Sequence, residues 1–215
     1  DTVTAATGQA VRRLARRHQN LTAEIADIDA ELRVLTTQSA PTMLATKGFG
    51  IVTTATLLIT AGDNPARLRT EASFAALCGA APIPASSGKT TRHRLNRGGD
   101  RQANWALHQI ALVRLSTDPR TKAYAAKLTA AGKSKKDVLR CLKRAIAREA
   151  WHLLVHPAPA PRIDDLRPLR HLRGLTLTQA AEHLGTVPAR ISELERGTRL
   201  NIQLANAYRD YLNAA

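Results

Sequence analysis

The segment that decides the fold runs from residue 101 to residue 154 and reads RQANWALHQIALVRLSTDPRTKAYAAKLTAAGKSKKDVLRCLKRAIAREAWHLL. Its first part carries an apolar helical face at Trp105, Leu107, Ile110 and Ala111. The Asp118-Pro119 pair and Gly132 interrupt the pattern where one helix ends and the next begins. The segment therefore predicts three successive helices: Arg101–Arg114, 118–130 and Ser134–Leu154.

The composition of the chain agrees with a helical fold and points to a polyanionic partner. Hydrophobic residues make up 44% of the 215 residues but aromatic residues only 3%, so the core is built from Ala, Leu, Ile and Val, an alphabet that favours helices. The net charge is +15, and the stretch from Ser87 to Arg148 holds 16 Lys and Arg against three Asp. Such a localised excess predicts nucleic acid as the partner; the alternative is a ribosome-associated or merely soluble basic protein.

The cysteines and the hydropathy pattern indicate where in the cell the protein is located. Cys78 and Cys141 show no metal-ligand spacing and no disulfide framework, so we expect two small core residues of a reduced protein. No apolar run reaches the length of a membrane span, and no signal peptide is visible. We therefore expect a cytoplasmic, nucleoid-associated protein with no membrane partner.

The N-terminal segment has a heptad pattern. Apolar residues, with one histidine, follow alternating spacings of three and four at Val11, Leu14, His18, Leu21, Ile25, Ile28, Leu32 and Leu35. This pattern predicts a helix over residues 8–37 with a narrow apolar seam, typical of a coiled coil that joins copies of the chain into a homo-oligomer. The alternative is an amphipathic helix that packs on its own domain.

A glycine-containing turn follows Pro41. Residues 42–63 predict a short helix, a Gly48-Phe49-Gly50 turn and a second helix from Val52 to Thr60, which is the pattern of a helix-hairpin-helix. The start of the second helix would present backbone N–H groups to a DNA phosphate, and Gly48 and Gly50 are therefore candidate DNA-binding residues. The alternative is a plain turn between helices.

A basic loop lies between two predicted helices. Residues 67–77 predict a helix that ends at Gly79, and residues 81–100 read APIPASSGKTTRHRLNRGGD. This loop contains Ser86 and Ser87, and Thr90–Leu95 predicts a short extended segment. Four cations of the loop are candidate DNA-binding residues: Lys89, Arg92, Arg94 and Arg97.

Prolines at positions 157, 159 and 161 indicate a stiff linker to a separate C-terminal module. The module predicts helices at Leu177–Leu184, Pro188–Arg196 and Asn201–Asn213. The predicted fold class is all-α, with an N-terminal coiled-coil helix, a helical domain containing a helix-hairpin-helix and a C-terminal bundle. The expected boundaries are residues 1–40, 41–156, 157–161 and 162–215.

Residues 42–155 resemble the C-terminal transposase domain of the IS110 insertion-sequence family, whose members are DEDD transposases. The resemblance rests on KGFG with TTATLLITAGD after it, on FAALCGAAP, on SSGKTTRHRLNRGGDRQANWALHQIAL and on GKSKKDVLRCLKRAIAREAWHLL. It implies that Ser87, or alternatively Ser86, attacks a DNA phosphodiester and forms a covalent protein–DNA link. Lys89, Arg92 and Arg94 would then stabilise the charged transition state.

The same resemblance implies a further domain and a metal. The family places a RuvC-like domain, with four acidic residues that hold Mg²⁺, ahead of this segment. No such domain precedes residue 8, and the helical acids Glu24, Asp27, Asp29 and Glu31 do not replace it. We therefore expect no metal site in this chain and no transposition by this chain alone. Family members also work with a structured non-coding RNA, which is a second possible partner.

The C-terminal module resembles the Cro/Xre class of helix-turn-helix. The residues that carry the likeness lie in LTQAAEHLGTVPARISELERG, residues 177–197. The class places its second helix in the major groove, so Arg190 is the candidate base or phosphate contact and Gln179 a candidate phosphate contact. Glu195 and Gly197 are expected to be structural. The alternative is a generic three-helix bundle.

The sequence leaves two main functions and a weaker third, an RNA-binding protein, because a basic surface does not distinguish RNA from DNA. The first is transposition or recombination of DNA by a serine nucleophile on the basic loop. The second is a non-catalytic transcriptional regulator that binds DNA through the hairpin and the helix-turn-helix.

Overall fold

The structure is a computed structural model that describes residues 2–62, 68–86, 88, 93–94, 96–157, 161–198 and 200–214. Within these ranges it contains eleven helices and one two-stranded ribbon, which confirms the predicted all-α class. The elements are α1 Thr2–Ser39, α2 Pro41–Ala45, α3 Ile51–Ala61, α4 Glu71–Leu77, β1 Ile83–Pro84, β2 His93–Arg94, α5 Arg101–Thr117, α6 Pro119–Ala130, α7 Lys135–Val155, α8 Leu166–Leu172, α9 Leu177–His183, α10 Pro188–Glu195 and α11 Ile202–Ala214.

The N-terminal helix α1 is longer than the sequence predicts and is mostly exposed. Its C-terminal end packs near α2 and α3, and Thr36 is the residue of α1 that becomes buried. The apolar seam stays open to solvent, with Leu14 68% exposed and Ile25 58% exposed. The helix is therefore confirmed, and the coiled coil remains a prediction.

The central core lies where α3, α5 and α7 meet. Ala106, Leu107 and Ile110 of α5 are fully buried between α3 and α7, because the i, i+3, i+4 spacing puts them on one face. Trp105 was expected on that face but is 44% exposed, because it lies about 100 to 160° around the helix axis from these three residues. Other members of this core are Met43, Leu57, Phe74, Cys78, Leu142 and Ile146.

Two local predictions near the basic loop change in detail. Helix α4 starts at Glu71 rather than at residue 67, because Thr70 caps it by accepting a hydrogen bond from the Ser73 amide. The extended segment is confirmed at His93 and Arg94, which pair antiparallel with Pro84 and Ile83. The remainder of that segment, Thr90–Arg92 and Leu95, lies outside the described residues.

The C-terminal module has its own core, formed by α8 to α11. Its largest buried side chains include Tyr208, Leu166, Ile191, Leu194 and Leu212. Helix α8 is not among the helices that the sequence predicts, and it contains Pro168. Proline is tolerated there because the third position of the helix needs no amide donor. No helix within the described residues has the length and hydropathy that crossing a membrane requires.

Candidate nucleic-acid interface

The basic loop is closed at its base by a contact between two glycines. A Cβ on Gly99 would lie 2.2 Å from the amide nitrogen of Gly79, so the two backbones touch. The Asp100 amide donates to the Leu77 carbonyl at 2.7 Å and so ties the end of the loop to the end of α4. Gly79 has a φ of +64°, a value that favours glycine. The loop therefore leaves the core and returns to it at one point.

Residues at the start of α5 and in the core hold the two ends of the basic loop in place. The carboxylate of Asp100 caps α5 by accepting from the Gln102 and Ala103 amides. The Asn104 side chain donates to the carbonyls of Cys78 and Gly79, at 2.9 and 3.1 Å. Burial, helped by the negative charge of Asp100, raises the pKa of the Cys78 thiol to about 12, so Cys78 is a core residue without nucleophilic character.

Most of the described polar side chains of the basic loop lie in solvent. Ser86, Arg94 and Arg97 are all exposed, and the two-stranded ribbon places Arg94 opposite Ile83. Three candidate site residues lie outside the described residues: Ser87, Lys89 and Arg92. Ser87 is three residues beyond the end of β1, in the connection between the two strands.

A lysine on α7 reaches the base of the loop. The Lys143 ammonium donates to the Oδ1 of Asn104 at 2.8 Å. Burial lowers the pKa of Lys143, and the positive charge of Arg140 lowers it further. Among the described residues, no carboxylate oxygen lies within 4.0 Å of this ammonium.

The predicted hairpin is held by an arginine of α5. Gly48 has a φ of +92°, and a Cβ on it would lie 2.9 Å from Cγ of Arg114. The Arg114 guanidinium lies over the Phe49 ring, and its Nε donates to the Lys47 carbonyl at 2.7 Å. Gly50 is the N-cap of α3, and its amide donates to the Thr53 hydroxyl at 3.0 Å. These contacts hold the turn against the core. DNA binding by Gly48 and Gly50 stays a prediction.

The helix-turn-helix candidates have local partners. The Oε1 of Gln179 accepts hydrogen bonds from the amide and the hydroxyl of Thr176, so Gln179 completes the cap of α9. Arg190, near the start of α10, is half-buried and pairs with Glu193 at 3.1 Å. Gly48 and Arg190 both line a cleft of about 1090 Å³ between the core and the C-terminal module.

Beneath these residues lies a buried ion pair. Arg170 of α8 donates from Nε and Nη2 to both carboxylate oxygens of Glu195, at 2.7 and 3.0 Å, and the Tyr208 hydroxyl donates to the same carboxylate. Burial raises the pKa of Glu195, but the hydrogen bonds from Arg170 and Tyr208 outweigh it and the net pKa is lowered. The expectation that Glu195 is structural agrees with these contacts.

The residues that the structure describes do not suit a divalent metal. In those ranges, no three His, Cys, Asp or Glu side chains converge in a way that could hold an ion. The acids of α1 lie along a helix and form no such cluster. The Mg²⁺ that the family resemblance implies therefore has no place among them, and no chemical step is assigned to it here.

Comparisons with known proteins bear on the same segment. Residues 40–126 match the model of the transposase family IS116/IS110/IS902. Over these residues the chain is similar to that transposase family. It is 31% identical over 156 residues to the uncharacterized 42 kDa protein of insertion element IS900 from Mycobacterium paratuberculosis. It is 33% identical over 106 residues to the uncharacterized 43.6 kDa protein of insertion element IS110 from Streptomyces coelicolor.

These alignments cover more of this chain than of the relatives. They take in 69% and 49% of the present chain, but only 39% and 26% of the IS900 and IS110 proteins. The chain thus spans about two fifths or less of the length of either relative. The family match begins at residue 40, immediately before α2, and ends within α6 at residue 126. It includes the hairpin turn and the whole basic loop.

Two parts of the site were not foreseen from the sequence. Lys143 stood out only as one cation among many in α7, and Asn104 as one polar residue of α5. Their pairing joins positions 39 apart in the chain, which no local pattern encodes. An available signal was the register of α7, because Leu142, Ile146 and Ala150 mark its buried face and Lys143 lies at the edge of that face.

Proposed function

We propose that this chain is the DNA-engaging part of an insertion-sequence transposase in which Ser87 attacks a DNA phosphodiester. The observation that carries the proposal is the basic loop. It leaves the core and returns to it at the Gly79–Gly99 contact, and it exposes Ser86, Arg94 and Arg97. A basic loop whose two ends are held together at the core can present a hydroxyl to a sugar-phosphate backbone.

The proposed reaction is a transesterification. The Ser87 Oγ forms a bond to phosphorus, the bond from phosphorus to one deoxyribose oxygen breaks, and that oxygen takes up a proton as the serine gives one up. The number of phosphodiester bonds is unchanged, so a DNA hydroxyl can later reverse the step and release the serine. Three cations of the loop, Lys89, Arg92 and Arg94, would stabilise the extra negative charge of the pentavalent transition state.

The experiment is a covalent-adduct assay on the full chain. The chain is incubated with labelled duplex DNA, Mg²⁺ and a full-length member of the family, and adducts are resolved on a denaturing gel. Ser87→Ala is expected to abolish the adduct while retaining DNA binding, and Ser86→Ala, the adjacent control, is expected to retain the adduct. Loss of the adduct with Ser86→Ala alone would identify Ser86 as the nucleophile. The absence of an adduct with the unmutated chain would contradict the proposal.

A second candidate function is a non-catalytic regulator of transcription. It is favoured by α9 and α10, two short helices that pack against each other and are joined by a turn at Gly185. In this function Arg190 contacts a base or phosphate in the major groove, and Gln179 contacts a phosphate through its amide nitrogen. Sequence-selective binding that survives Ser87→Ala but is lost with Arg190→Ala would support the regulator.

RNA is the other nucleic acid that the positive surface could accept. Lys and Arg contacts to phosphate do not distinguish the two polymers, because both present the same charged backbone. Competition of a structured RNA against duplex DNA, measured at a fixed salt concentration, separates them. We expect DNA to bind in the presence of excess RNA; complete displacement would identify RNA as the partner of the basic surface.

A further inference from the structure

One cation at the base of the basic loop has no carboxylate partner among the residues that the structure describes. Lys143 is half-buried on α7, and of its three N–H donors the part of the chain described by the structure engages one, through Asn104. Holding an ammonium partly away from water is costly unless an opposite charge compensates it. Among the described residues nothing compensates the positive charge of Lys143, and a bound anion would do so.

The neighbours of Lys143 strengthen this conclusion. Arg140, one turn earlier on α7, adds positive charge, while its own partner is Asp137 at 2.7 Å. Arg144 and Arg148, on the other side, are both paired with Glu71. These cations have carboxylate partners, whereas Lys143 is held by a neutral amide oxygen.

The position of Lys143 is fixed relative to the loop. Asn104, which accepts from Lys143, donates to the carbonyls of Cys78 and Gly79, and Gly79 is in contact with Gly99 at the other end of the loop. A short chain of hydrogen bonds thus joins the ammonium to the first end of the loop, and the packing of Gly79 against Gly99 connects it to the other end. An anion bound by Lys143 would lie beside the point where the loop leaves the core.

We propose that Lys143, oriented by Asn104, forms a phosphate-binding site at the base of the loop, and that its ligand is a backbone phosphodiester of the DNA strand that the loop engages. This assignment rests on the proposed function, since that function brings DNA to the loop. In this site Lys143 contacts a phosphate of the strand backbone, and so fixes the register of the strand on the protein. It takes no part in bond breaking.

The test compares three forms of the full chain: the unmutated protein, Lys143→Met and Lys127→Met. Methionine keeps the length of the lysine stem, and Lys127 is an exposed lysine of α6 whose replacement makes the same change in net charge. The first arm measures thermal unfolding in inorganic phosphate and in chloride at equal ionic strength. We expect phosphate to raise the Tm of the unmutated chain and of Lys127→Met by a few degrees more than that of Lys143→Met.

The second arm measures affinity for duplex DNA over a range of salt concentrations. We expect Lys143→Met to lower the slope of log Kobs against log salt by about 0.9, the value for one lost phosphate contact, and Lys127→Met to leave it unchanged. Equal phosphate effects in all three forms, with an unchanged slope in Lys143→Met, would overturn the site. A phosphate effect specific to Lys143 in a chain that does not bind DNA would keep the anion site and refute the proposed function.

Discussion

Gly99 lies against Gly79 so closely that a Cβ added to Gly99 would come within 2.2 Å of the Gly79 nitrogen and 2.4 Å of its Cα. Both atoms belong to the backbone, so neither can rotate out of the way. This contact closes the basic loop at the same point where Asn104 and Lys143 hold it from below. The loop thus depends on a geometry that only two glycines allow.

Replacing Gly99 with Ala is expected to open the base of the loop. The added methyl must displace backbone, which costs about 3 kcal/mol of stability. Urea unfolding followed by tryptophan fluorescence measures the loss, because Trp105 and Trp151 both belong to the core domain. Gly98→Ala is the matched control, since its Cβ would meet Asn96 Oδ1 at an ordinary 3.5 Å. Equal stabilities of the two variants would contradict the closed base.

Arg114 is expected to hold the Gly48 turn on the core. Arg114→Met removes the hydrogen bond to the Lys47 carbonyl, the contact with the Phe49 ring and the ion pair with Glu149. Because Glu149 remains 39% exposed, water screens part of the loss, and we expect about 1–3 kcal/mol. Urea unfolding measures it beside Arg140→Met, whose ion pair is exposed. If Arg114→Met lowers the free energy of unfolding no more than Arg140→Met does, the turn does not depend on Arg114 for its stability.

The Arg170–Glu195 pair is expected to dominate the stability of the C-terminal module. Arg170→Met leaves the Glu195 carboxylate, which is only 3% exposed, without its partner and costs about 3–5 kcal/mol. Hydrogen exchange of peptides from α8 and α11 reports the opening of this module separately from the core. Arg162→Met, which breaks an exposed pair with Asp164, is the control and should leave exchange unchanged. Unchanged exchange in Arg170→Met would refute the prediction.

The same carboxylate makes the module sensitive to acid. The pKa of Glu195 is lower in the folded module than its ordinary value of 4.5, so the unfolded state binds more protons as the pH falls. The stabilisation is fully present above pH 4.5 and is lost as the pH drops through the folded pKa. Calorimetry between pH 7 and pH 3 should show the transition of the module falling below about pH 4.5. A transition independent of pH in that range would contradict the lowered pKa.

The exposed seam of α1 is expected to pair with a second copy of the chain. Leu21→Glu puts a charge in the middle of the seam and should convert an oligomer to a monomer in light scattering. Ala23→Glu, two residues away on the outer face of the heptad pattern, should leave the mass unchanged. A monomeric unmutated chain, or an oligomer that tolerates Leu21→Glu, would show that the seam has another role.

Much of the fold was predictable because its signals are local. The boundaries of α6 and α7 follow from Asp118-Pro119 and from Ser134, which accepts a hydrogen bond from the Asp137 amide. Helix α8 was not predicted, and the proline of its sequence LRPLRHL lies in the first turn, where a helix tolerates it. The pairs Arg170–Glu195 and Asn104–Lys143 were not predictable, since each joins distant positions through tertiary packing. The site was predictable as a basic loop, but its anchoring was not.

The most direct test of the central claim is the chemical identity of the residue that carries DNA. The chain is reacted with DNA in the presence of Mg²⁺ and a full-length family member, and the product is digested with nuclease and protease and sequenced by tandem mass spectrometry. The proposed function predicts a nucleotide attached to the Oγ of Ser87. A nucleotide on any other residue, or none in a reaction where the full-length protein cleaves the same DNA, would contradict it.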